Sequence, residues 1–276
     1  MNANTPETWI NQFPVPDPDM HKYTRGHLVI LGGGRMTGAA RLASEAAMRI
    51  GAGLCTIMAP DSAANIYKNG APHILFEPLA ELNDFECRFK DPGSAAAIIG
   101  PGAGLDDGES LRKLIVNALS LKKPLVLDAD ALTVFKDRAS DLFNALHPDC
   151  VLTPHHGEFF RLFGAGKAMT TDGIRDIANQ IGANILLKGK ETIIASPLGD
   201  YAINTHASPY LATAGSGDVL AGMIGGLLAQ KMSAFHAACA AAWIHGDAAL
   251  RYGPGLVAPD IIDQIPAVLR SLETHP

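Results

Sequence analysis

Three observations in this 276-residue sequence predict an α/β layered fold, a mostly parallel sheet with helices on both faces. Short apolar runs, many of them β-branched, recur along the chain and are continuous rather than alternating, as strands buried on both faces require. Helical stretches fill most gaps between them, as crossovers between parallel strands demand. Late in the series, two short strands meet across Pro197-Leu198-Gly199, which predicts a hairpin and so an antiparallel edge on the sheet.

Taken in order, residues 1–20 are rich in Pro and polar residues and read as an irregular arm. The first buried strand is His27–Leu31, and further strands are expected at 54–59, 96–99, 125–128, 151–153 and 185–188. The hairpin pairs 191–196 with 200–205. Residues 216–252 are nearly all Ala, Gly and Leu, which predicts two helices lying close to the sheet and to each other. Residues 256–269 read as a closing amphipathic helix. No linker, repeat or low-complexity segment divides the chain, so a single domain over 1–276 is expected, with 1–20 as its arm.

Composition narrows the function. The chain holds 28 Gly and 42 Ala, and only 18% of its residues are charged, below the usual ~25%. With 47% hydrophobic residues and a net charge of −6, disorder is excluded. A chain this long buries roughly three-quarters of its unfolded surface and needs no covalent staples. There are 22 Lys+Arg against 28 Asp+Glu and no basic run, so the footprint of a nucleic-acid binder is missing. Any anionic ligand must therefore be held locally, by backbone and a few side chains. Cys55, Cys87, Cys150 and Cys239 have no metal-site spacing and sit among apolar neighbours, which predicts buried free thiols in a reducing compartment. The N-terminus lacks a signal-peptide pattern, and the most apolar stretch, 219–229, is too short to span a bilayer. A soluble cytoplasmic protein without a membrane partner is expected.

Ligands of parallel α/β sheets bind beyond the carboxyl ends of the strands. The residues at those positions here are Gly32-Gly33-Gly34-Arg35-Met36-Thr37-Gly38-Ala39-Ala40, Gly100-Pro101-Gly102-Ala103-Gly104, Asp128-Ala129-Asp130 and Thr153-Pro154-His155-His156-Gly157-Glu158. Lys188-Gly189-Lys190-Glu191-Thr192 and Thr213-Ala214-Gly215-Ser216-Gly217-Asp218 follow. Six polar or glycine-rich turns at one sheet edge make a site.

The last turn is the most specific. Gly215, Ser216 and Gly217 lead into an apolar helix, so their amides can converge without a Cβ in the way, and the helix N-terminus adds positive potential. They form an anion hole. Asp218, in the first helical turn, can take a proton from an attacking hydroxyl while the amides stabilise charge on a transferring phosphoryl group. Asp218 could instead merely complement the helix dipole; the preceding glycines and the other five turns favour catalysis. The dipole is expected to depress the Asp218 pKa, making it a weak base that acts late in a loose transition state.

Other polar residues carry two readings each. Asp128 ends a strand and could organise metal or water, while Asp130 could equally cap 131–135. Glu158 orders metal-bound water or caps its own helix. Lys188 meets a phosphate, the preferred reading, or snorkels to solvent. His156 reads as solvated, and His245 and Trp243 as packed core. A dinucleotide-binding reading of 32–38 lacks its acidic partner, since the second strand ends at Ala59-Pro60 with Asp61 only afterwards.

The segment Thr213-Ala214-Gly215-Ser216-Gly217-Asp218-Val219-Leu220-Ala221-Gly222 resembles the Gly-Thr-Gly-Asp signature of ribokinase-like enzymes. His21-Lys22, 26–33, 38–53, 99–104, Asp128-Ala129-Asp130-Ala131-Leu132, 153–158 and 187–192 resemble one branch in particular, the ADP-dependent NAD(P)H-hydrate dehydratases, in order from about residue 20 to 250. The resemblance implies a three-layer ribokinase-like fold. It implies a hydro-lyase that dehydrates the hydrated nicotinamide of NADH or NADPH hydrate, with ADP as co-substrate and Mg²⁺ as cofactor, giving NAD(P)H, AMP and phosphate. It places Ala39, Gly104, His155 and Asp218 on the hydrated nucleotide, and Lys188, Gly189, Lys190, Glu191, Thr192 and Gly217 on the AMP portion of ADP. It assigns no metal ligands. Two departures stand out. The loop at 32–38 is one residue shorter than is usual and carries Arg35-Met36, which bears on Ala39; Ala214 and Ser216 replace Gly and Thr without removing a backbone donor. The resemblance also implies a homo-oligomer, with epimerisation of the hydrate supplied by a separate chain. The alternatives are a small-molecule kinase of the same fold, for instance one acting on a hydroxyethylthiazole, and a non-catalytic nucleotide-binding protein.

Overall fold

The computed structural model describes residues 2–164 and 169–273. Among them, nine strands form one sheet: β1 (His27–Leu31), β2 (Leu54–Ala59), β3 (Leu75–Pro78), β4 (Ser94–Ile99), β5 (Leu125–Leu127), β6 (Cys150–Leu152), β7 (Asn184–Leu187), β8 (Thr192–Ala195) and β9 (Tyr201–Asn204). Their order is β3-β2-β1-β4-β5-β6-β7-β8-β9. Pairing is parallel from β3 to β7 and antiparallel through β7, β8 and β9, as the hairpin at Pro197-Leu198-Gly199 predicts.

The helices are α1 (Thr37–Arg49), α2 (Ala64–Lys68), α3 (Leu82–Lys90), α4 (Gly108–Ser120), α5 (Asp130–Thr133), α6 (Ala139–Phe143), α7 (His156–Phe163), α8 (Thr171–Ile181), α9 (Ser216–Ala229), α10 (Ala234–Tyr252) and α11 (Ala258–Glu273). Strand pleating sorts the apolar residues into two cores. Leu28, Ile30, Ala96, Ile98 and Val126 pack with α1, α9, α10 and α11. Val29, Leu31, Ala97, Ile99 and Leu125 pack with α3, α4 and α8 on the other face. All five residues of β1 are buried, which is why its sequence is a continuous apolar run.

Helix α9 has no polar face, and twelve of its fourteen residues are buried. It lies against α1 at backbone distance. A Cβ at Gly222 would fall 2.2 Å from the Ala43 carbonyl oxygen, and one at Gly226 would fall 2.8 Å from that of Ala47. These glycines set the height of α9 above the sheet and so place its N-terminal turn.

Three expectations need correction. The edge strand β3 is missing from the sequence reading, because Leu-Phe-Glu-Pro has little buried surface and ends in Pro. The arm at 1–20 is not wholly irregular: the Asn4 amide donates to the Ile203 carbonyl at 2.9 Å, the Ile203 amide to that of Asn2 at 2.9 Å, and Trp9 is buried. It therefore covers the open edge of β9. Of the four free thiols, Cys55, Cys150 and Cys239 are buried as expected, but Cys87 is exposed on α3.

Candidate active site

The strand order reverses between β1 and β4, and at such a point the loops beyond the strand ends diverge and leave a crevice. The loops at 32–34 and 100–104 meet there. A Cβ at Gly33 would lie 1.8 Å from the Gly102 carbonyl oxygen, so only glycine permits the approach. A cleft of about 620 Å³ opens above them, with Arg35 and Met36 on one lip and Gly104 and Asp106 on the other. A second cleft of about 880 Å³ lies between the ends of β6 and β7, the segment after β9 and the first turn of α9. His155, Lys188, Gly189, Lys190 and Thr192 line one side of it, and Ser216 and Gly217 the other.

Asp218 is half-buried in the first turn of α9 and lines neither cleft, but its charge couples to both. Its carboxyl feels Asp130, which lines the first, and Lys188, which lines the second. Its pKa is raised to about 6, by burial first and by the negative charge of Asp128 next, with Lys188 opposing. The depression expected from the helix dipole is overturned. A dipole contributes about 0.3–1 kcal/mol, less than one pKa unit, whereas burial and a like charge act over several.

Asp128 follows β5 and is buried, and Lys188 Nζ donates to its Oδ1 at 2.8 Å. Lys188 therefore does not snorkel. Burial opposes its charge, but Asp128, Glu158 and Asp218 outweigh that and raise its pKa. The ammonium also stands 3.5 Å from where a Cβ of Gly217 would be, beside the first turn of α9. Between the two aspartates, Ala129 adopts φ +48°, an uncommon conformation for a residue with a Cβ. It turns the chain so that Asp130 Oδ2 accepts from the Gly104 amide at 2.9 Å, tying the first cleft to the β5 loop.

His155 is the N-cap of α7, and its Nδ1 accepts from the amides of Gly157 at 2.9 Å and Glu158 at 3.2 Å. The ring proton is thus fixed on Nε2. Glu158 Oε2 accepts from the His155 amide at 2.9 Å, so Glu158 does cap its own helix. His156 is exposed, as expected.

At the start of α9, Gly215 takes φ +87°, which glycine adopts freely. The Ser216 amide turns back to the Thr213 carbonyl, while the next amides have no carbonyl before them in the helix. The residues carried over by resemblance are divided between the clefts. Gly104 belongs to the first, whereas His155, Lys188, Gly189, Lys190, Thr192, Ser216 and Gly217 belong to the second. Ala39 is buried beneath Gly102 in α1, and Ala39, Glu191, Gly215 and Asp218 line neither cleft. His245, read from the sequence as packed core, is indeed buried, and it has a further role. It lines the second cleft with Nε2 3.0 Å from the Ser216 carbonyl oxygen, a role that its Ala-rich surroundings concealed.

Residues 27–266 match the family described as NAD(P)H-hydrate dehydratase. The chain belongs to that family. It is 36% identical to the ADP-dependent (S)-NAD(P)H-hydrate dehydratase of Neisseria meningitidis, over 95% of this chain and 90% of that protein. It spans about half the length of the bifunctional NAD(P)H-hydrate repair enzymes among the curated relatives it matches. Among solved structures, the ADP/ATP-dependent NAD(P)H-hydrate dehydratase of Bacillus subtilis, co-crystallised with ATP and Mg²⁺, superposes with a TM-score of 0.82 at 28% identity, covering 98% of each chain. A ribokinase-like superfamily protein from Enterococcus faecalis gives 0.80 at 25% identity, over 94% of this chain and 92% of that one. The fold is ribokinase-like, as the Asp218 signature implied.

Proposed function

We propose that this chain dehydrates the hydrated nicotinamide ring of NADH or NADPH hydrate at the expense of ADP, releasing NAD(P)H, AMP and phosphate. The observation that carries the proposal is Asp218, a half-buried carboxyl raised to about 6 in the first turn of α9, whose charge couples to groups lining two clefts of ligand size. Membership of the dehydratase family supports the substrate class. In this reading the hydrated ring enters from the first cleft, past Gly104, and ADP lies in the second, along 188–192. His155 lines the ADP cleft, with its Nε2 proton directed at Glu158 Oε1, 3.3 Å away.

Hydroxide is a poor leaving group, so the ring hydroxyl is first made into a better one. Its oxygen attacks the terminal phosphorus of ADP, Asp218 accepts the hydroxyl proton, and AMP leaves. Open amides of the α9 turn and the Lys188 ammonium stabilise the charge on the phosphoryl oxygens. The ring nitrogen then expels phosphate as the C–O bond breaks, and loss of a proton from the neighbouring carbon restores the reduced nicotinamide. A base near 6 suits this work, being ionised at neutral pH yet more basic than an ordinary Asp.

Among the described residues no group of three or more His, Cys, Asp or Glu is arranged to hold a metal ion. Mg²⁺ would arrive with the diphosphate rather than occupy a resident protein site, since both Glu158 oxygens face His155. When bound, Mg²⁺ neutralises charge on the diphosphate. A cytoplasmic setting is supported by the four free thiols.

The test is direct. Purified protein given hydrated NADH, ADP and Mg²⁺ should regenerate the absorbance of NADH. A small-molecule kinase would instead need ATP and leave a stable phosphomonoester. No regained NADH would overturn the proposal.

A further inference from the structure

Three consecutive residues of α10, His245, Gly246 and Asp247, touch both walls of the larger cleft. On one side is the anion turn. His245 is buried, and its Nε2 lies 3.0 Å from the Ser216 carbonyl oxygen and 3.2 Å from Ser216 Oγ. A carbonyl only accepts, so Nε2 carries the proton and donates it there. Burial pushes the ring pKa down to about 4, against the pull of the Ser216 carbonyl and with the help of the Lys188 charge, so the ring is neutral.

On the other side is the segment that follows β9, whose Thr205, Ala207 and Ser208 line the cleft. His206 bonds to α10: its Nε2 is 2.9 Å from Asp247 Oδ1, and its ring stacks on Trp243 with centroids 4.6 Å apart. Gly246 lets the backbones touch, since a Cβ there would lie 1.8 Å from the His206 carbonyl oxygen. Asp247 is itself fixed by Arg251, which reaches Ser271 on α11 at 2.7 Å.

We propose that His245 and Asp247 are positioning residues that gauge the nucleotide cleft from a single turn of α10. His245 holds the Ser216 carbonyl and thereby aims the amides that follow it at the phosphoryl group. Asp247, through His206, holds the facing wall. The inference rests on the reading that ADP lies in this cleft. Filling space does not explain these side chains. The other buried residues of α10 are Ala, Cys, Ile and Gly, and an imidazole buried among them is costly unless its hydrogen bond is made.

The two ends act on different quantities. The wall held by His206 meets ADP in the ground state and in the transition state alike, so loosening it raises KM. The anion turn meets charge that grows during transfer, so misaiming it lowers kcat. Kinetics should therefore separate them. Asp247→Asn should raise the ADP KM about tenfold with kcat within about twofold. His245→Met, of similar volume but without a donor, should lower kcat by roughly 30-fold, short of the ~10²–10³ lost with a whole oxyanion donor. His245→Gln, whose amide reaches where Nε2 was, should recover most of that loss at an equal melting temperature.

Equal activity in the Gln and Met variants would overturn the role of His245, and a kcat effect without a KM effect in Asp247→Asn would overturn that of Asp247. Lys188→Ala, measured by ADP titration calorimetry, separates the underlying reading. Unchanged ADP affinity there would remove ADP from this cleft, whereas lost affinity with indistinguishable Gln and Met variants would sink the gauge alone.

Discussion

Replacing Asp218 by Asn should make the protein more stable while abolishing its turnover. A carboxyl moved from 3.8 to about 6 by burial and the Asp128 charge is one whose ionised form the fold disfavours. The displacement corresponds to roughly 3 kcal/mol of stability forgone once the group is charged. The sign follows from linkage. Below the unfolded pKa of 3.8 Asp218 is protonated in both states and costs nothing; the penalty grows as pH rises through the interval and is complete above about 6. Asn carries no charge at any pH. The variant should therefore melt about 5 °C above the wild type at pH 7.5, and the two should coincide near pH 4. Paired calorimetric melts at one scan rate measure both, and the hydrated-NADH assay shows the lost turnover. AMP affinity should stay within a few fold. A variant no more stable at pH 7.5, or equally stabilised at both pH values, would mean that Asp218 is not held against its charge.

Other outcomes follow from the same geometry. Lys188→Met should move the acidic limb of the wild-type pH–rate profile, expected near pH 6, upward, because it removes the cation that opposes the Asp218 shift. It should also cost about 3–5 kcal/mol in urea unfolding, since buried Asp128 loses its partner. Ala129→Gly should stabilise the fold by about 1 kcal/mol, because glycine relieves the φ of +48° with part of the gain returned as unfolded-state entropy. Gly222→Ala should destabilise by about 1–3 kcal/mol and depress kcat, since the new methyl meets the Ala43 carbonyl and lifts α9. Melting and steady-state kinetics on the one protein sample check both halves.

The parts of the molecule that could be read in the sequence are those where one local pattern determines the structure. β1 announces itself because both of its faces are buried, and the hairpin at Pro197-Leu198-Gly199 because its turn chemistry is local. β3 could not be read, because Leu75 and Pro78 are exposed and its pairing to β2 is made by neighbours in space. In the site, Gly217 and Asp218 declare themselves by spacing, and Lys188 by its place after a strand. The Asp128–Lys188 pair joins residues sixty positions apart, and no spacing rule predicts it. The sign of the Asp218 shift is hidden from the sequence for the same reason. The dipole belongs to its own helix and is visible in sequence, whereas the burial and the Asp128 charge that outweigh it come from tertiary packing.

The close contact of α9 with α1 also bears on how the chain is made. α9 is the most thoroughly buried helix of the site, and most of the surface it docks on, from α1, β1, β4 and β5, precedes it in the chain, while α10 and α11 close over it afterwards. A ribosome delivers the earlier surfaces first, so the greasiest segment emerges to find the floor of its seat already built. A circular permutant that began at α9 would keep every native contact and reverse that order, leaving a naked apolar helix to wait for its partners.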